Sequence, residues 1–303
     1  MTLSLRQAVN LGIDISIHDA IQTFQKIALT GKEKTTIRWY ITRLENLAAY
    51  LGSTLPLVSI QSIDLLDWYA TLEESDRSTF TLHGYVRAIR RYFRWCTKWG
   101  LTSANPASDL DLPSLPQTSK SGISESDLAA MLHAAQDHAR DHAILSFFEA
   151  TGCRLEGACN LRLQNLDIPL RRALICEKFS KDRTVFLNPP AVTSLIHWIK
   201  QRPPTGDGNR VDDYVFTGKS GSNPLTPRSM YERFAIYANL THAVNWSPHQ
   251  WRHRFGRKMS MDGMSLGVLS QIMGHTSVDV TVRFYGQFGV SQLQDAYNKF
   301  QQP

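Results

Sequence analysis

The chain has 303 residues, 42% of them hydrophobic, and its 33 lysines and arginines against 27 aspartates and glutamates leave a net charge of +6. This length favours two domains with ordinary cores, and the basic charge is compatible with a polyanionic partner without establishing one. No apolar run approaches the roughly 18 residues of a membrane span and the N-terminus has no signal-peptide pattern, so we expect a cytoplasmic protein without a membrane partner.

Residues 1–105 are predicted to form a wholly helical domain. Apolar residues recur at helical spacing from Ile37 to Leu51. A shorter helix is predicted over residues 60–72 and a long one over residues 78–99, whose apolar positions also share one side. We therefore expect helices alone in this part of the chain.

The long helix carries a row of cations at helical spacing, which we call the basic stripe. Its members are Arg87, Arg90, Arg91, Arg94 and Lys98. A solvated charged face is the ordinary explanation for such residues, but no acid lies between them and like charges repel. An anionic partner would neutralise the stripe, so we predict that it contacts phosphates.

Residues 106–122 are predicted to be a linker between two domains. The stretch from Gly100 to Gly122 contains three prolines and many small polar residues, which favour extended backbone. A linker of this length would let two domains close around a duplex.

The remaining residues, 123–303, are predicted to form a mixed α+β domain, which makes the protein mainly α with a small β-sheet. Two short strands are expected within residues 172–187, around a turn at residues 179–182. An amphipathic tail helix is expected over residues 291–300. The other predicted helices cover residues 125–135, 137–150, 155–161, 189–200 and 227–240.

Most of the chemically interesting residues fall within residues 247–288. Ser247 can cap a helix and Pro248 suits its first position, which places His249 and Arg252 in the first turn. Backbone amides at a helix start favour an anion, so an imidazole and a guanidinium there are suited to binding a phosphate.

The order of these motifs resembles the tyrosine recombinase (phage integrase) family. His249 and Arg252 match its H-x-x-R box. His275, preceded by glycine, matches its L-G-H box, and Tyr285 matches its nucleophile. Arg154 ends the sequence T-G-C-R, which matches the first arginine box, T-G-x-R. Each box is a weak signal, and their ordered set is a strong one.

A hairpin between these boxes completes the resemblance. Residues 177–183, E-K-F-S-K-D-R, are similar to the family's G-K-G-x-K-x-R hairpin. The match assigns the catalytic lysine to Lys178. Lys181 is the alternative, and we also expect it to contact DNA.

The resemblance implies a helical N-terminal DNA core-binding domain joined to a tyrosine recombinase catalytic domain. The implied enzyme is a site-specific recombinase or integrase that cleaves and rejoins double-stranded DNA through a 3′-phosphotyrosyl intermediate. Such a covalent link conserves bond energy and arginines stabilise the charge, so neither a nucleotide nor a metal is needed. Self-association on DNA, as a tetramer of two DNA-bound dimers, and a nucleoid-associated location are implied as well.

The same resemblance gives each residue a role. Arg154 and Arg252 would stabilise charge on the non-bridging phosphate oxygens, with His275 as an additional donor. Lys178 would protonate the leaving 5′ oxygen. His249 would act as general acid/base near the tyrosine.

In the hairpin Phe179 replaces a glycine of the family pattern, and two further departures concern the catalytic residues. The family usually has an acid three residues after the first arginine, and Gly157 stands there, so the group that supports Arg154 is left open. The nucleophile usually lies nine residues after the histidine of the L-G-H box, where this chain has Phe284, and Tyr285 lies at ten.

Three alternatives remain open from the sequence. A topoisomerase-like enzyme would share the chemistry without strand exchange. A DNA-binding protein with a decayed site would fit the two departures. His249 and His253, four apart, also resemble a zinc pair, but Gln250 cannot serve as the general base of an H-E-x-x-H hydrolase. His253 is therefore predicted to be a supporting or structural group.

Overall fold

A computed structural model describes residues 14–116, 122–177, 181–203, 213–218 and 223–290, together with residues 293–294 and 297–298. The chain divides into two compact units, residues 1–118 and 119–303. No helix in these described ranges is long and apolar enough to cross a membrane.

The first unit is a helical bundle, as its apolar periodicities predict. Its helices are α1 (Ile17–Ala28), α2 (Lys34–Leu51), α3 (Ser62–Glu74) and α4 (Thr79–Lys98). Its centre is aromatic: the ring of Phe24 makes edge contacts with Tyr92 and Trp95, at centroid distances of 5.4 and 5.3 Å. Edge-to-face packing of this kind adds to the burial of the ring surfaces.

The segment that follows α4 packs onto the same core. Leu101, Ala107 and Leu110 are buried among the helices of the first unit. Burying these apolar side chains outweighs the preference of the surrounding small polar residues for an extended segment. The core of the first unit therefore extends to Leu110, within the stretch predicted to be a linker.

The second unit is mainly helical, which confirms the predicted fold class. Its helices are α5 (Glu125–Ala134), α6 (Ala139–Thr151), α7 (Leu155–Cys159), α8 (Pro189–Gln201), α9 (Pro227–Thr241), α10 (Pro248–Met261), α11 (Leu266–Met273) and α12 (Val278–Tyr285). Side chains of Ser124, Asn188 and Thr226 accept hydrogen bonds from backbone N–H groups at the starts of α5, α8 and α9. These contacts satisfy donors that a helix start leaves unpaired.

A small antiparallel sheet lies in this unit, in the order β1 (Leu166–Asp167), β2 (Arg172–Glu177) and β3 (Lys181–Phe186). The sequence predicts two of these strands; β1 has two residues, too few to show a period. Side chains alternate along β2 between exposed and buried. That alternation turns Glu177 to the buried face, beside Ala173 and Ile175.

A small apolar cluster lies between α10, α11 and α12. Phe255, Leu269, Met273 and Tyr285 are its buried members. The helix α12 ends at Tyr285 and fixes the direction of that side chain. Most of the predicted tail helix lies outside the described residues, and those of its side chains that are described, including Leu293 and Tyr297, are exposed.

Candidate active site

Arg252 is held by two helix ends. Ser247 takes the N-cap position of α10 without a side-chain cap hydrogen bond, and Pro248 follows as predicted. From the first turns of α10, buried Arg252 donates from Nη1 to the carbonyl oxygen of Gly152 at 2.8 Å and from Nη2 to that of Met273. These carbonyls lie at the C-terminal ends of α6 and α11, where the helix dipole favours a cation.

Glycines allow these helix ends to lie so close to the arginines. Gly152 and Gly274 have φ angles of 54° and 62°, in the left-handed region that other residues rarely adopt. A Cβ on Gly152 would lie 2.6 Å from the Phe255 ring, and one on Gly274 would lie 2.8 Å from Cδ of Arg183. A side chain at position 152 would displace Phe255, and one at position 274 would displace Arg183.

Arg154 lies at the edge of an open cleft. It occupies the N-cap position of the short helix α7, and its side chain is 44% exposed. Its Nη2 donates to the carbonyl oxygen of Gly274 at 3.4 Å, and its Nη1 pairs with the carboxylate of Glu177. Arg154, His249 and Arg252 line the same cleft, which has a volume of about 460 Å³.

A carboxylate and a third arginine lie behind the cleft, and the sequence did not single them out. Oε1 of Glu177 accepts from Nη2 of Arg183 at 2.8 Å, and both side chains are buried. Arg183 also donates to the carbonyl oxygen of Ile272. Burial raises the pKa of the Glu177 carboxyl, but the hydrogen bond and charge of Arg183 and the charge of Arg154 outweigh it and hold the pKa below its usual value.

The three guanidinium groups affect one another. Burial, followed by repulsion from Arg154 and Arg183, lowers the pKa of Arg252 to about 10. Glu177 opposes that shift. Arg252 therefore stays charged at neutral pH, and the cluster presents three cations partly balanced by one carboxylate.

Tyr285 is buried, and its hydroxyl contacts His253. The phenolic oxygen lies 3.2 Å from Nδ1 of His253, and the ring packs over Gly256. A Cβ at Gly256 would lie 2.5 Å from Cζ of the tyrosine. Burial raises the pKa of Tyr285 to about 12, against the opposing charges of Arg252 and Arg154. The hydroxyl is therefore protonated at neutral pH.

The two histidines of α10 connect the cleft to this hydroxyl. The rings of His249 and His253 meet edge to face with centroids 4.5 Å apart. His249 lines the cleft, whereas His253 is buried and contacts the tyrosine. The sequence assigned the role beside the tyrosine to His249; in the structure the hydroxyl of Tyr285 contacts His253.

The ring of His275 also contacts the tyrosine ring. The two rings are nearly parallel, 13° apart, with centroids 6.2 Å apart. Nδ1 of His275 shares a 2.7 Å hydrogen bond with the Thr281 hydroxyl. Burial, and then the charges of Arg252, Arg154 and Arg183, lower the pKa of His275 to about 4. Its imidazole is thus neutral at physiological pH.

Phe284 occupies the position at which the sequence pattern would place the nucleophile. Its ring is 39% exposed and lies 5.5 Å from that of His253. Tyr285 is the next residue along α12, so its side chain lies about 100° further around the helix axis than that of Phe284. This rotation directs it towards the buried cluster. The displaced tyrosine is therefore the inward one of this pair.

The remaining candidates are two hairpin lysines and the basic stripe. Lys178 is not among the described residues, and the side chain of Lys181 is not described. The basic stripe belongs to the first unit: Arg90 is half-buried there, and the other four members are exposed.

Aromatic rings of α2 hold two members of the stripe. The guanidinium carbon of Arg87 lies 5.6 Å from the ring centroid of Trp39, and that of Arg91 lies 5.0 Å from that of Tyr40. Nη1 of Arg91 also donates to the Tyr40 hydroxyl at 3.3 Å. Such contacts reduce the freedom of long side chains while leaving their charge exposed.

Comparison with known proteins agrees with this geometry. The model of the Phage integrase family matches residues 122–288, more than half of the chain. The tyrosine recombinase XerC of Corynebacterium efficiens is 26% identical over 291 residues, covering 93% of this chain and 90% of the relative. The tyrosine recombinase XerA of Pyrococcus furiosus is 25% identical over 277 residues, covering 90% of each.

Solved structures share the fold over nearly the whole chain. The Tn1549 transposon integrase in complex with transposon right end DNA has a TM-score of 0.80 at 17% identity, covering 95% of this chain and all of that one. The XerH recombinase bound to palindromic difH substrate, in a post-cleavage complex, has a TM-score of 0.73 at 18% identity. The match covers 93% of this chain and 84% of the XerH chain.

Proposed function

Because this chain belongs to the phage integrase family, we propose that it is a site-specific DNA recombinase that cleaves and rejoins strands through a 3′-phosphotyrosyl intermediate. One observation carries the proposal: Arg154 and Arg252 line one cleft, and their charges act on the hydroxyl of Tyr285. A nucleophile within the field of two phosphate-binding cations is what phosphoryl transfer to a protein side chain requires.

In the proposed reaction the phenolic oxygen of Tyr285 attacks the phosphorus of one phosphodiester. A bond forms between that oxygen and phosphorus, and the bond to the 5′ oxygen of the next nucleotide breaks. The 3′ side of the strand is left on the tyrosine, and a 5′ hydroxyl is released. Attack of a 5′ hydroxyl on this linkage reverses the step, so joining needs no nucleotide cofactor.

The cations act on the charge that grows during the attack. Arg252, fixed by two carbonyl oxygens, and Arg154, fixed by Glu177, keep their orientation before DNA binds. Fixed donors stabilise a transition state without the cost of reorganising at the moment of reaction. His275, neutral at physiological pH, adds a donor through the N–H of its imidazole.

Two proton transfers accompany the exchange. The hydroxyl of Tyr285 must lose its proton, and His253 is the group in contact with its oxygen. The ring of His253 in turn contacts that of His249, which lines the cleft. The leaving 5′ oxygen must gain a proton, and from the sequence we assign that step to Lys178, with Lys181 as the alternative.

Double-stranded DNA is the proposed partner, held by the basic stripe and by the catalytic cleft. Recombination joins strands from two duplexes, so we propose a tetramer of two DNA-bound dimers. The proposal places the protein with the nucleoid in the cytoplasm.

A DNA-binding protein that does not cleave is the second candidate, because Phe284, at the usual spacing of the nucleophile, has no hydroxyl. Trapping of a covalent protein–DNA adduct separates the two. Cells expressing the chain are lysed in denaturant, and DNA attached to the protein is recovered and sequenced. The recombinase yields an enriched sequence, which Y285F loses while retaining DNA binding. Exposed Tyr297 gives the matched control, since Y297F should keep the adduct.

A further inference from the structure

We propose that Glu177 is a positioning residue for catalysis: its carboxylate holds Arg154 and Arg183 in the orientation that serves the phosphate. This inference rests on the proposed function and extends it. Glu177 lies on β2, facing the buried side of the sheet, and its carboxylate contacts both arginines.

The contacts show how one carboxylate can orient two guanidinium groups. Oε2 of Glu177 pairs with Nη1 of Arg154, and Oε1 pairs with Nη2 of Arg183 at 2.8 Å. Oε1 also accepts from the backbone N–H of Arg154, at 3.3 Å. The carboxylate therefore fixes both the backbone and the side chain of Arg154, at the start of α7.

The exposed half of Arg154 is then left for the substrate. Its Nη1 faces Glu177 and its Nη2 faces the carbonyl oxygen of Gly274, yet 44% of the side chain is exposed at the cleft. Without the carboxylate, this long side chain would gain several rotamers. Arg154 would then have to be ordered again whenever DNA binds.

Glu177 also sets the net charge behind the phosphate. Arg154, Arg183 and Arg252 carry three positive charges, and Glu177 raises the pKa of Arg252 against the other two. A neutral side chain at position 177 would make the cluster more cationic. The cluster would then attract the phosphodiester of bound DNA more strongly. Arg154, however, would be less well oriented for the transition state. This separation of binding from cleavage distinguishes a positioning role from a packing role.

Gly157 gives the space that Glu177 occupies. A Cβ built on Gly157 would lie 3.3 Å from Cγ of Glu177 and 3.5 Å from its Oε1. The carboxylate oxygens of a glutamate at position 157 are three bonds from its Cβ, so they can reach the same place from α7. The carboxylate can thus be supplied from either position, but the two side chains would crowd each other and repel.

The test uses the full chain and a nicked duplex whose sequence comes from the covalently trapped DNA. Cleavage rate, affinity for the duplex and thermal midpoint are measured for E177Q, E177A, G157E and the double variant G157E/E177A. D182N, an exposed carboxyl-to-amide change in the same hairpin, is the matched control.

We expect E177Q and E177A to cleave roughly 10²-fold more slowly, as a small misplacement of a catalytic group does, while affinity for the duplex is kept or increased. G157E in the double variant should restore cleavage by about tenfold over E177A, a coupling typical of residues in contact. D182N should behave as the wild type.

Three outcomes would overturn the inference. Wild-type cleavage by E177Q would show that the carboxylate is unimportant. Parallel losses of affinity, cleavage and thermal midpoint would make Glu177 a packing residue. No recovery in the double variant, with its thermal midpoint intact, would show that a carboxylate at this place is insufficient. Failure of the wild-type chain to form any adduct would instead contradict the proposed function.

Discussion

The phenolic oxygen of Tyr285 lies 3.2 Å from Nδ1 of His253, and the two residues come from neighbouring helices, α12 and α10. The tyrosine is buried and its pKa is raised to about 12, so its hydroxyl attacks only if a base takes its proton. The imidazole in contact with that hydroxyl lies next to a second imidazole at the cleft.

Replacing His253 should therefore slow the formation of the covalent adduct. For H253A we expect a loss of roughly 10²–10⁴-fold, the usual contribution of a general base, with partial recovery when imidazole is added. H197A, a change at an exposed histidine of α8, should have no effect. A wild-type adduct rate in H253A, together with its loss in H249A, would return the role to His249.

The two cleft arginines should affect cleavage far more than binding. R154A and R252A should each reduce cleavage by roughly 10²–10³-fold, the effect of removing one donor to a developing oxyanion. R252A should also lower the thermal midpoint, because Arg252 bridges the ends of α6 and α11. R172A, at an exposed arginine of β2, is the control. Equal losses in affinity and cleavage would reduce both arginines to binding contacts.

The depressed pKa of His275 predicts a pH dependence of stability. An unfolded histidine binds a proton below about pH 6.5, whereas the pKa of folded His275 is about 4. As the pH falls from about 6.5 to 4, the unfolded state takes up the proton first, so stability decreases.

Urea midpoints measured at pH 7, 6 and 5 test this expectation. H275N should lose stability less steeply than the wild type over that range. The wild type must be compared with H275N because a second histidine contributes to the same pH dependence. Burial, together with the charge of His197, also lowers the pKa of His142. Equal slopes for the two proteins would show that His275 is not held neutral by the fold.

Exposed members of the basic stripe should contribute to the salt dependence of DNA binding. Removing Arg87, Arg91, Arg94 or Lys98 should each reduce the slope of log K against log salt by about 0.9, the value for one phosphate contact. R90A should change it less, since Arg90 is half-buried. K26A, on the exposed side of α1, is the control. If the salt dependence of binding is unchanged in all four variants, the basic stripe is only a solvated charged face.

Truncation after Gly289 should weaken assembly on DNA and leave the affinity of one protomer for its half-site nearly intact. Val290, Leu293 and Tyr297 are 84%, 55% and 61% exposed on the single chain, so a neighbouring protomer can bury them. Sedimentation on one-site and two-site duplexes measures the effect, with a chain lacking only residues 302–303 as the control. Full assembly by the truncated chain would mean that the tail has no part between protomers.

The sequence by itself determined most helices and the identity of the cleft arginines. Periodic apolar residues and caps such as Ser124 and Thr226 act over a few residues, so they predict local structure without knowledge of the rest. The ordered motifs pointed to Arg154, Arg252, His275 and Tyr285, which the fold brings together. The resemblance supplied their roles, which remain predictions.

The tertiary structure decided what surrounds these residues. Glu177 lies 23 positions from Arg154, and the two meet because the register of β2 turns the carboxylate inward beside the start of α7. His253 reaches Tyr285 across 32 positions, since Gly256 lets α12 pack closely on α10. Contacts of this kind depend on packing between distant segments, which local periodicity and spacing do not encode.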